Sequence, residues 1–306
     1  MPDKLSVIIA TYNPDASRLR QTLEGLQQQS LSLAQWELIV VDNNSTQPLT
    51  IDLSWHPQAV IVHEARQGLT YARLKGFATA KNELIVLVDD DNVIDADYLH
   101  HVLEIFEKRT ALGAIGGKSL PIFETEPPQW LKAFYGSLAL RDLGDEAKIQ
   151  AWENSYPQYA PIGAGMGIRK AALASYIKKA EDGQSMIADR SGSSLASGGD
   201  NDIVLEVLKS GWQVGYFPQL LLQHIIPQGR MQAGYLAKLE NSTNNSWIKL
   251  LQSHGICPWP SIPAYTLPLR KAKAWLSLKA ALSKSNYIKW RGYCGTMDAL
   301  AVYKKY

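Results

Sequence analysis

Three consecutive aspartates, Asp89, Asp90 and Asp91, directly follow an apolar run over residues 84–88. Five apolar residues in a row predict a strand that is buried on both faces, as in a parallel sheet. The aspartates come where this strand ends, so they place concentrated negative charge at the carboxyl edge of the sheet, where open α/β folds bind ligands. Carboxylate oxygens are the ligands that Mg²⁺, Mn²⁺ and Ca²⁺ prefer, so the pattern indicates a divalent cation.

Polar residues also follow two earlier predicted strands. Thr11, Tyr12 and Asn13 come after the first strand, and Asp42 ends the second. A single Asp or Asn after a strand usually makes only a turn. Because the carboxyl ends of parallel strands lie along one edge, the three sets together predict one shared crevice.

The elements that position these residues alternate between strands and helices, which predicts an α/β fold with a mostly parallel, doubly wound sheet flanked by helices. After Pro227 the chain reads as mainly helical, and the Ser- and Gly-rich stretch 183–199 predicts a mobile loop. Helices are predicted over 16–28, 69–80, 96–108 and 201–210, and strands over 6–10, 37–41, 60–63, 84–88, 114–116, 213–217 and 220–223.

Composition limits the functional classes. The chain has 306 residues, 46% of them hydrophobic, and a formal net charge of +2, which gives no argument for a nucleic-acid partner. The charge is uneven, since residues 267–306 contain nine Lys and Arg but only one acidic residue, Asp298. No signal peptide or membrane-spanning stretch is evident, so we expect a cytoplasmic protein, with peripheral contact to the inner face of a membrane through the basic segment.

Several segments carry a family resemblance: SVIIATYN (6–13), LIVVDNNS (38–45), Gly68-Leu69 leading to Ala72-Arg73, VDDDN (88–92), GAGMGIRK (163–170) and GGDND (198–202) followed by Gly211-Trp212. In this order, over residues 5–230, the chain resembles family 2 nucleotide-sugar glycosyltransferases of the GT-A fold. The resemblance implies a GT-A domain over 1–230, with a nucleotide-binding half over about 1–118 and an acceptor half over about 119–230. Residues 231–306 are predicted to form a helical, basic extension.

The resemblance also implies a site for a nucleoside diphosphate sugar. The carboxylate of Asp42 would accept the imide N–H of uracil or a related base. A divalent metal, Mn²⁺ or Mg²⁺, would be held by Asp91 and His224, and it would neutralise the departing diphosphate. Arg230 would contact the diphosphate. The remaining residues of the nucleotide-binding set are Thr11, Tyr12, Asn13, Arg73, Asp89 and Asp90.

Asp200 is implied as the general base, which would take the proton of an acceptor hydroxyl during a single inverting displacement. The family more often has Glu-Asp where this chain has Gly199-Asp200. Asp202 is the fallback base, although its spacing also fits a capping position, and acidic residues favour the first turn of any helix. Acceptor contacts are predicted at Trp130, Gly165 and Met166.

The sequence thus predicts transfer of a sugar, from a donor expected to be UDP-linked, to a glycan or lipid-linked hydroxyl acceptor in polysaccharide or cell-surface glycan synthesis. One alternative is a sugar nucleotidyltransferase of similar fold, although no Lys follows the first strand. A second is a catalytically silent sugar-nucleotide-binding protein, which Gly199 favours. For the basic segment, packing on its own domain or on a partner subunit is the alternative to a membrane.

Overall fold

The computed structural model describes residues 4–182, 195 and 197–302. These residues form two compact units. The first contains residues 4–122, 139–182 and 200–225, and the second contains 123–138, 195, 197–199 and 226–302. The predicted loop over 183–199 lies mostly outside the described residues.

A mixed sheet forms the centre of the first unit, and nine of its strands lie in the described residues. They are β1 (Leu5–Thr11), β2 (Trp36–Asp42), β3 (Ala59–His63), β4 (Leu84–Asp89), β5 (Asn92–Ile94), β6 (Leu112–Phe123), β7 (Lys148–Gln150), β8 (Gly167–Arg169) and β9 (Gln213–Ile226). The order is β3-β2-β1-β4-β8-β6-β9-β5, with β7 also paired to β9. Neighbours among β3, β2, β1 and β4 are parallel, whereas β8 is antiparallel to β4 and β6, and β5 and β7 are antiparallel to β9.

Helices cover both faces of the parallel strands, as the continuous apolar runs require. Successive β1 side chains point to opposite faces: Val7 and Ile9 belong to the apolar cluster that includes Leu19 and Leu99, whereas Ile8 belongs to the cluster that includes Phe77. This confirms the predicted doubly wound α/β arrangement. The helices of this unit are α1 (Ala16–Gln27), α2 (Leu69–Thr79), α3 (Tyr98–Lys108), α4 (Ala174–Glu181) and α5 (Gly199–Lys209).

The second unit is built on three longer helices, α6 (Ala233–Ser253), α7 (Leu267–Ser277) and α8 (Lys284–Val302). Glycine allows α6 and α8 to approach closely, because a Cβ on Gly295 would lie 2.0 Å from the carbonyl oxygen of Asn241. The Asn241 side chain donates a 3.0 Å hydrogen bond to the carbonyl of Arg291 across the same contact. Among the described residues, no helix is both long and apolar enough to cross a membrane.

One predicted break between two strands is wrong. The separate strands predicted over 213–217 and 220–223 are a single strand, β9, which continues through Pro218. The break is expected at Pro218 because proline removes one ladder hydrogen bond and is unfavourable inside a sheet. At this point the backbone of β9 lies close to Gly117 of β6, since a Cβ there would lie 2.4 Å from the carbonyl oxygen of Phe217.

Candidate active site

The carboxyl ends of β1, β2 and β4 meet at one edge of the sheet. In the strand register Thr11 lies beside Asp42, and Ala10 lies beside Asp89. Thr11 is buried and donates a hydrogen bond from Oγ1 to the Asp90 carboxylate. The edge therefore brings together a hydroxyl and three carboxylates from three strand ends.

The loop after β1 is tied to the loop after β2. Asn13 adopts a left-handed backbone conformation (φ 47°), which Asn tolerates better than most residues. Its Oδ1 accepts a 2.9 Å hydrogen bond from the backbone N–H of Thr46, and its own N–H donates to Ser45 Oγ at 2.9 Å. Tyr12 directly precedes Asn13 in this loop. It is 37% exposed and so is available to a ligand.

Asp42 keeps part of its carboxylate accessible. Its Oδ1 accepts a 3.0 Å hydrogen bond from the N–H of Ser45. Its Oδ2 lies 3.5 Å from Nδ1 of His63, and 15% of its side chain is exposed. One oxygen therefore holds the loop, and the other can accept a hydrogen bond from outside.

Asn43 orders this region, and the sequence interpretation gave it no role of its own. It is buried, and its Nδ2 donates to the carbonyl of Arg66 at 2.7 Å. Its Oδ1 accepts from the N–H of Gly68, also at 2.7 Å. Gly68 is the N-cap of α2, the helix that carries Arg73, so Asn43 fixes where that helix begins. Its polarity directly after a buried strand is the sequence signal for this role.

Asp91 and His224 lie side by side, although they are far apart in sequence. Antiparallel pairing of β5 with β9 places Asn92 opposite His224. As a result His224 Nε2 lies 3.4 Å from Asp91 Oδ1, and both side chains are buried. Two ligands at about 2.1 Å from one octahedral ion stand about 3 Å apart, so this spacing fits a shared cation. A carboxylate oxygen with an imidazole nitrogen is a donor set that suits Mn²⁺.

Asn92 supports the carboxylate side of this pair and was not singled out from sequence. It is fully buried, and its Nδ2 donates a 3.2 Å hydrogen bond to Asp91 Oδ1. Its Oδ1 accepts from the backbone N–H of Asp89 at 3.3 Å. A polar partner to a ligand atom fixes the orientation of that ligand. An asparagine immediately after the aspartate run is the signal that could have identified it.

Asp200, Gly163 and Arg73 converge on one point. Asp200 Oδ2 accepts a 2.9 Å hydrogen bond from the N–H of Gly163. A Cβ on Gly163 would lie 2.7 Å from Arg73 Nη2 and 3.2 Å from Asp200 Cβ, so a larger residue there would displace the Arg73 guanidinium and press on Asp200. Arg73 is buried. Its Nη2 and Asp200 Oδ2, at 2.7 and 3.3 Å from the same Cβ position, lie beside one another. Gly163 begins the segment GAGMGIRK, but its contacts with Arg73 and Asp200 come from packing and have no local sequence signal.

A tyrosine that the sequence interpretation missed lies next to this carboxylate. The Tyr156 hydroxyl donates a hydrogen bond to Asn201 Oδ1 in the first turn of α5. Burial, and then the negative charge of Asp200, raise the pKa of Tyr156 above its usual value. The Tyr156 hydroxyl therefore keeps its proton and remains a hydrogen-bond donor beside Asp200.

Asp202, the fallback base, has a different environment. Its side chain is 1% exposed, and its Oδ1 lies 2.7 Å from Lys179 Nζ. Lys179 also lies 3.3 Å from Glu206 Oε1, and Ser175 Oγ donates to Glu206 Oε2 at 2.7 Å. A buried carboxylate that is ion-paired in this way is unsuited to meeting an acceptor hydroxyl.

The predicted acceptor residues of the first unit lie against the core. Gly165 has a left-handed conformation (φ 72°), and its carbonyl accepts a 2.6 Å hydrogen bond from the buried Tyr98 hydroxyl. The Met166 side chain is fully buried. Any acceptor contact at Met166 would therefore come from the backbone.

Two predicted site residues belong to the second unit. Trp130 is half-buried, with its ring centroid 6.2 Å from that of Phe134 in an edge-on arrangement. Arg230 is half-buried, and its backbone N–H donates to the carbonyl of Pro227 at 2.9 Å. Their contacts with acceptor and diphosphate remain predictions.

The family model of glycosyl transferase family 2 matches residues 6–172. The chain belongs to this family. The matched range contains Gly163 and the polar residues at the carboxyl ends of β1, β2 and β4. It ends before Asp200 and His224. The family assignment predicted from the sequence motifs is therefore confirmed.

Two curated relatives carry glycosyltransferase names. A glucosyl-dolichyl phosphate glucuronosyltransferase of Haloferax volcanii is 21% identical over 157 residues, which is 50% of each chain. An uncharacterized glycosyltransferase of Haemophilus influenzae is 31% identical over 112 residues, 36% of this chain and 37% of that one. The family 2 chain thus matches half or less of the length of these curated relatives.

Solved structures share the fold. S. aureus TarS (residues 1–349) in complex with UDP-GlcNAc has a TM-score of 0.56 and 14% identity, over 97% of this chain and 90% of that one. The complex of TarS with UDP has a TM-score of 0.54 at the same identity and coverage. The predicted GT-A type fold is therefore confirmed.

Proposed function

We propose that this family 2 protein is a metal-dependent, inverting glycosyltransferase that moves a sugar from a UDP-linked donor to a hydroxyl acceptor. The observation that carries the proposal is the buried approach of Asp91 to His224, 3.4 Å apart. Burying a carboxylate and an imidazole is costly unless a partner or a cation compensates them. The pair belongs to the same unit as the edge formed by Thr11 and Asp42.

The nucleotide would be recognised at that edge. Asp42 Oδ2 can accept the imide N–H of uracil, because Oδ1 is already used by Ser45. Asn13 and Tyr12 would line the same pocket, since the loop that holds them is fixed to the loop after β2. TarS complexes with UDP and UDP-GlcNAc support a uridine nucleotide for a chain of this fold.

Asp91 and His224 would hold Mn²⁺ or Mg²⁺. When bound, the cation would neutralise the negative charge that develops on the departing diphosphate. Asn92 keeps the Asp91 carboxylate in place, and Asp89 and Asp90 complete the acidic edge. Arg73 and Arg230 are proposed to contact the donor through their guanidinium groups, which match phosphate geometry.

Asp200 would act as the general base. The acceptor oxygen attacks the anomeric carbon and forms a new C–O bond, while the bond from that carbon to the phosphate oxygen breaks and its electron pair leaves with the diphosphate. The hydroxyl proton passes to the Asp200 carboxylate. The N–H of Gly163 donates to Oδ2 of this carboxylate and so orients it.

The acceptor is proposed to be a glycan or a lipid-linked sugar in polysaccharide or cell-surface glycan synthesis. The name of the Haloferax volcanii relative includes a dolichyl phosphate, a lipid carrier of this class. The ring of Trp130 would stack on a sugar face, and the backbone around Gly165 would contact the acceptor. Gly199, which stands where the family more often has Glu, favours a second candidate, a silent sugar-nucleotide-binding protein.

A donor panel with and without Mn²⁺ separates these candidates. We expect release of nucleoside diphosphate from a UDP-sugar, lost on chelation and restored by Mn²⁺. Asp91→Ala should weaken metal-dependent donor binding by at least about 10–100-fold. Asp97→Ala is the matched control, because Asp97 is an exposed carboxylate of the same unit. Binding without turnover would favour the silent protein, and neither binding nor turnover under any metal condition would overturn both.

A further inference from the structure

Helix α7 presents apolar side chains to solvent. Leu269 and Leu276 are each 76% exposed, and they lie seven residues apart, about two turns, on one side of the helix. Tyr265 precedes them by about one turn and is 85% exposed, and Leu282, just beyond the helix, is 75% exposed. We call these four residues the leucine face. Large apolar groups exposed together usually mark an interaction surface.

The opposite side of α7 is already packed within its unit. Ala274 is buried, and Trp275 lies edge-on to Trp290 with ring centroids 4.7 Å apart. Lys271 points to this inner side, where its Nζ lies 2.6 Å from Asp298 Oδ1. The helix thus packs Ala274 and Trp275 within its unit and leaves Leu269 and Leu276 in solvent, on the side where a helix of a globular domain ordinarily carries polar residues. The leucine face is therefore not needed to hold α7 in place.

The surroundings of the leucine face are basic. Residues 255–297 contain seven Lys and Arg and no Asp or Glu. Arg270 and Lys273 are exposed on α7, and Lys279 and Lys284 are exposed on either side of Leu282. Long basic side chains can keep their charge in water or at phosphate groups while their stems lie along apolar surface.

The exposed leucines and the surrounding basic residues together favour one binding partner for the leucine face. A second copy docking through the same face would place two basic surfaces against each other, which repel. A polyanion such as nucleic acid would match the charge but leave the leucines unused. An anionic lipid surface satisfies both, because leucines can enter the headgroup boundary while lysines meet phosphates.

We propose that the leucine face, with Arg270, Lys273, Lys279 and Lys284, docks on an anionic lipid bilayer. The docking is peripheral, with α7 lying in the plane of the interface. The proposal does not depend on the donor or on the reaction.

Vesicle co-sedimentation of the full chain tests it. We expect binding to phosphatidylcholine vesicles that contain about one third phosphatidylglycerol, weaker at high salt, and little binding to phosphatidylcholine alone. Leu269→Ser with Leu276→Ser should lower the partition coefficient by about tenfold or more. Lys273→Gln with Lys279→Gln should lower it by about fivefold per charge. These positions are exposed, so the thermal unfolding of the variants should match that of the wild type.

Val60→Ser with Ile61→Ser is the matched control, since these residues are 39% and 47% exposed on β3 in the first unit. This control should bind vesicles as the wild type does. Failure of the wild type to bind anionic vesicles at low salt would overturn the proposal. The proposal would also be overturned if light scattering showed a dimer that the leucine substitutions dissociate, while vesicle binding stayed unchanged. The leucine face would then be assigned to a contact between copies of the chain.

Discussion

Asp200 and Asp202 lie two residues apart in the first turn of α5, and their environments differ. Asp200 is partly exposed and accepts a hydrogen bond from a neutral donor, the N–H of Gly163. Asp202 is fully buried and lies 2.7 Å from the ammonium group of Lys179. Because residues two apart on a helix face different directions, one carboxylate meets the loop at Gly163 and the other meets α4.

The comparison indicates which carboxylate can do chemistry. A base must reach a ligand and must exchange its proton, which a hydrogen-bonded, partly exposed carboxylate can do. A buried ion pair holds its charge state fixed and is costly to break. The same residue type, at nearly the same place in the chain, therefore has a proposed catalytic role in one case and a structural role in the other.

The largest expected effect is on catalysis through Asp200. Asp200→Asn keeps the shape and a hydrogen-bond acceptor but removes the proton acceptor, so kcat should fall by about 10²–10⁴-fold. Donor affinity, measured by calorimetry with Mn²⁺ present, should remain near that of the wild type. Asp97→Asn, at an exposed site, should leave kcat unchanged. Equal kcat in Asp200→Asn and the wild type would assign the base to another residue.

The next largest effect is expected on stability, through Lys179, the ion-pair partner of Asp202. Lys179→Met removes a cation from a fully buried carboxylate, so the free energy of unfolding should drop by about 3–5 kcal/mol. The measurement is denaturant unfolding at neutral pH, with Lys178→Met as the exposed control on the same helix. The folded fraction should retain normal kcat. A stable Lys179→Met protein with impaired transfer would reverse the proposed roles of the two aspartates.

A smaller effect on kcat is expected from replacing Gly163, whose N–H donates to the Asp200 carboxylate. Gly163→Ala would place a Cβ 2.7 Å from Arg73 Nη2 and 3.2 Å from Asp200 Cβ, so both side chains must shift. A displacement of about 1 Å at a reacting group can cost up to about 100-fold in rate, so we expect a loss of about 10–100-fold in kcat. Gly136→Ala is the control, because a Cβ there meets nothing within 4 Å. Unchanged kcat in Gly163→Ala would separate Asp200 from the reaction.

Much of the fold was predictable because the apolar runs and polar strand ends are local signals. The run over 84–88 predicted β4, and its aspartates predicted the carboxyl edge that the structure places beside Thr11 and Asp42. The short strand β5 was not predicted, since three residues give no periodicity to detect. Without β5 the sequence contains no physical reason to place His224 beside Asp91, and only the family resemblance linked them.

The surroundings of the two α5 aspartates were beyond local sequence reasoning. Lys179 meets Asp202 because α4 packs near α5, and nothing in the spacing of these residues indicates that packing. Gly163 belongs to a glycine-rich segment that meets Arg73 and Asp200 from other elements. Sequence could name Asp200 as the candidate base, but the difference between Asp200 and Asp202 depends on contacts between distant segments.

The smallest expected effect concerns Tyr156, whose pKa is raised by burial and by the charge of Asp200. In the unfolded chain a tyrosine ionises near pH 10, whereas Tyr156 in the folded chain stays protonated. Its stabilising contribution is therefore complete below about pH 10 and is lost as the pH rises further, by up to about 1.4 kcal/mol per pH unit. Denaturant unfolding across this range should show a shallower loss in Tyr156→Phe than in the wild type.

Asp200→Asn sharpens this prediction, because it removes the electrostatic part of the shift and leaves the burial part. Its loss of stability above about pH 10 should therefore lie between those of the wild type and Tyr156→Phe. Identical profiles for all three proteins would mean that Tyr156 ionises alike in the folded and unfolded chains. The Asp200 charge would then not be felt at Tyr156, and the contrast between a charged, accessible Asp200 and a neutralised, buried Asp202 would lose one of its supports.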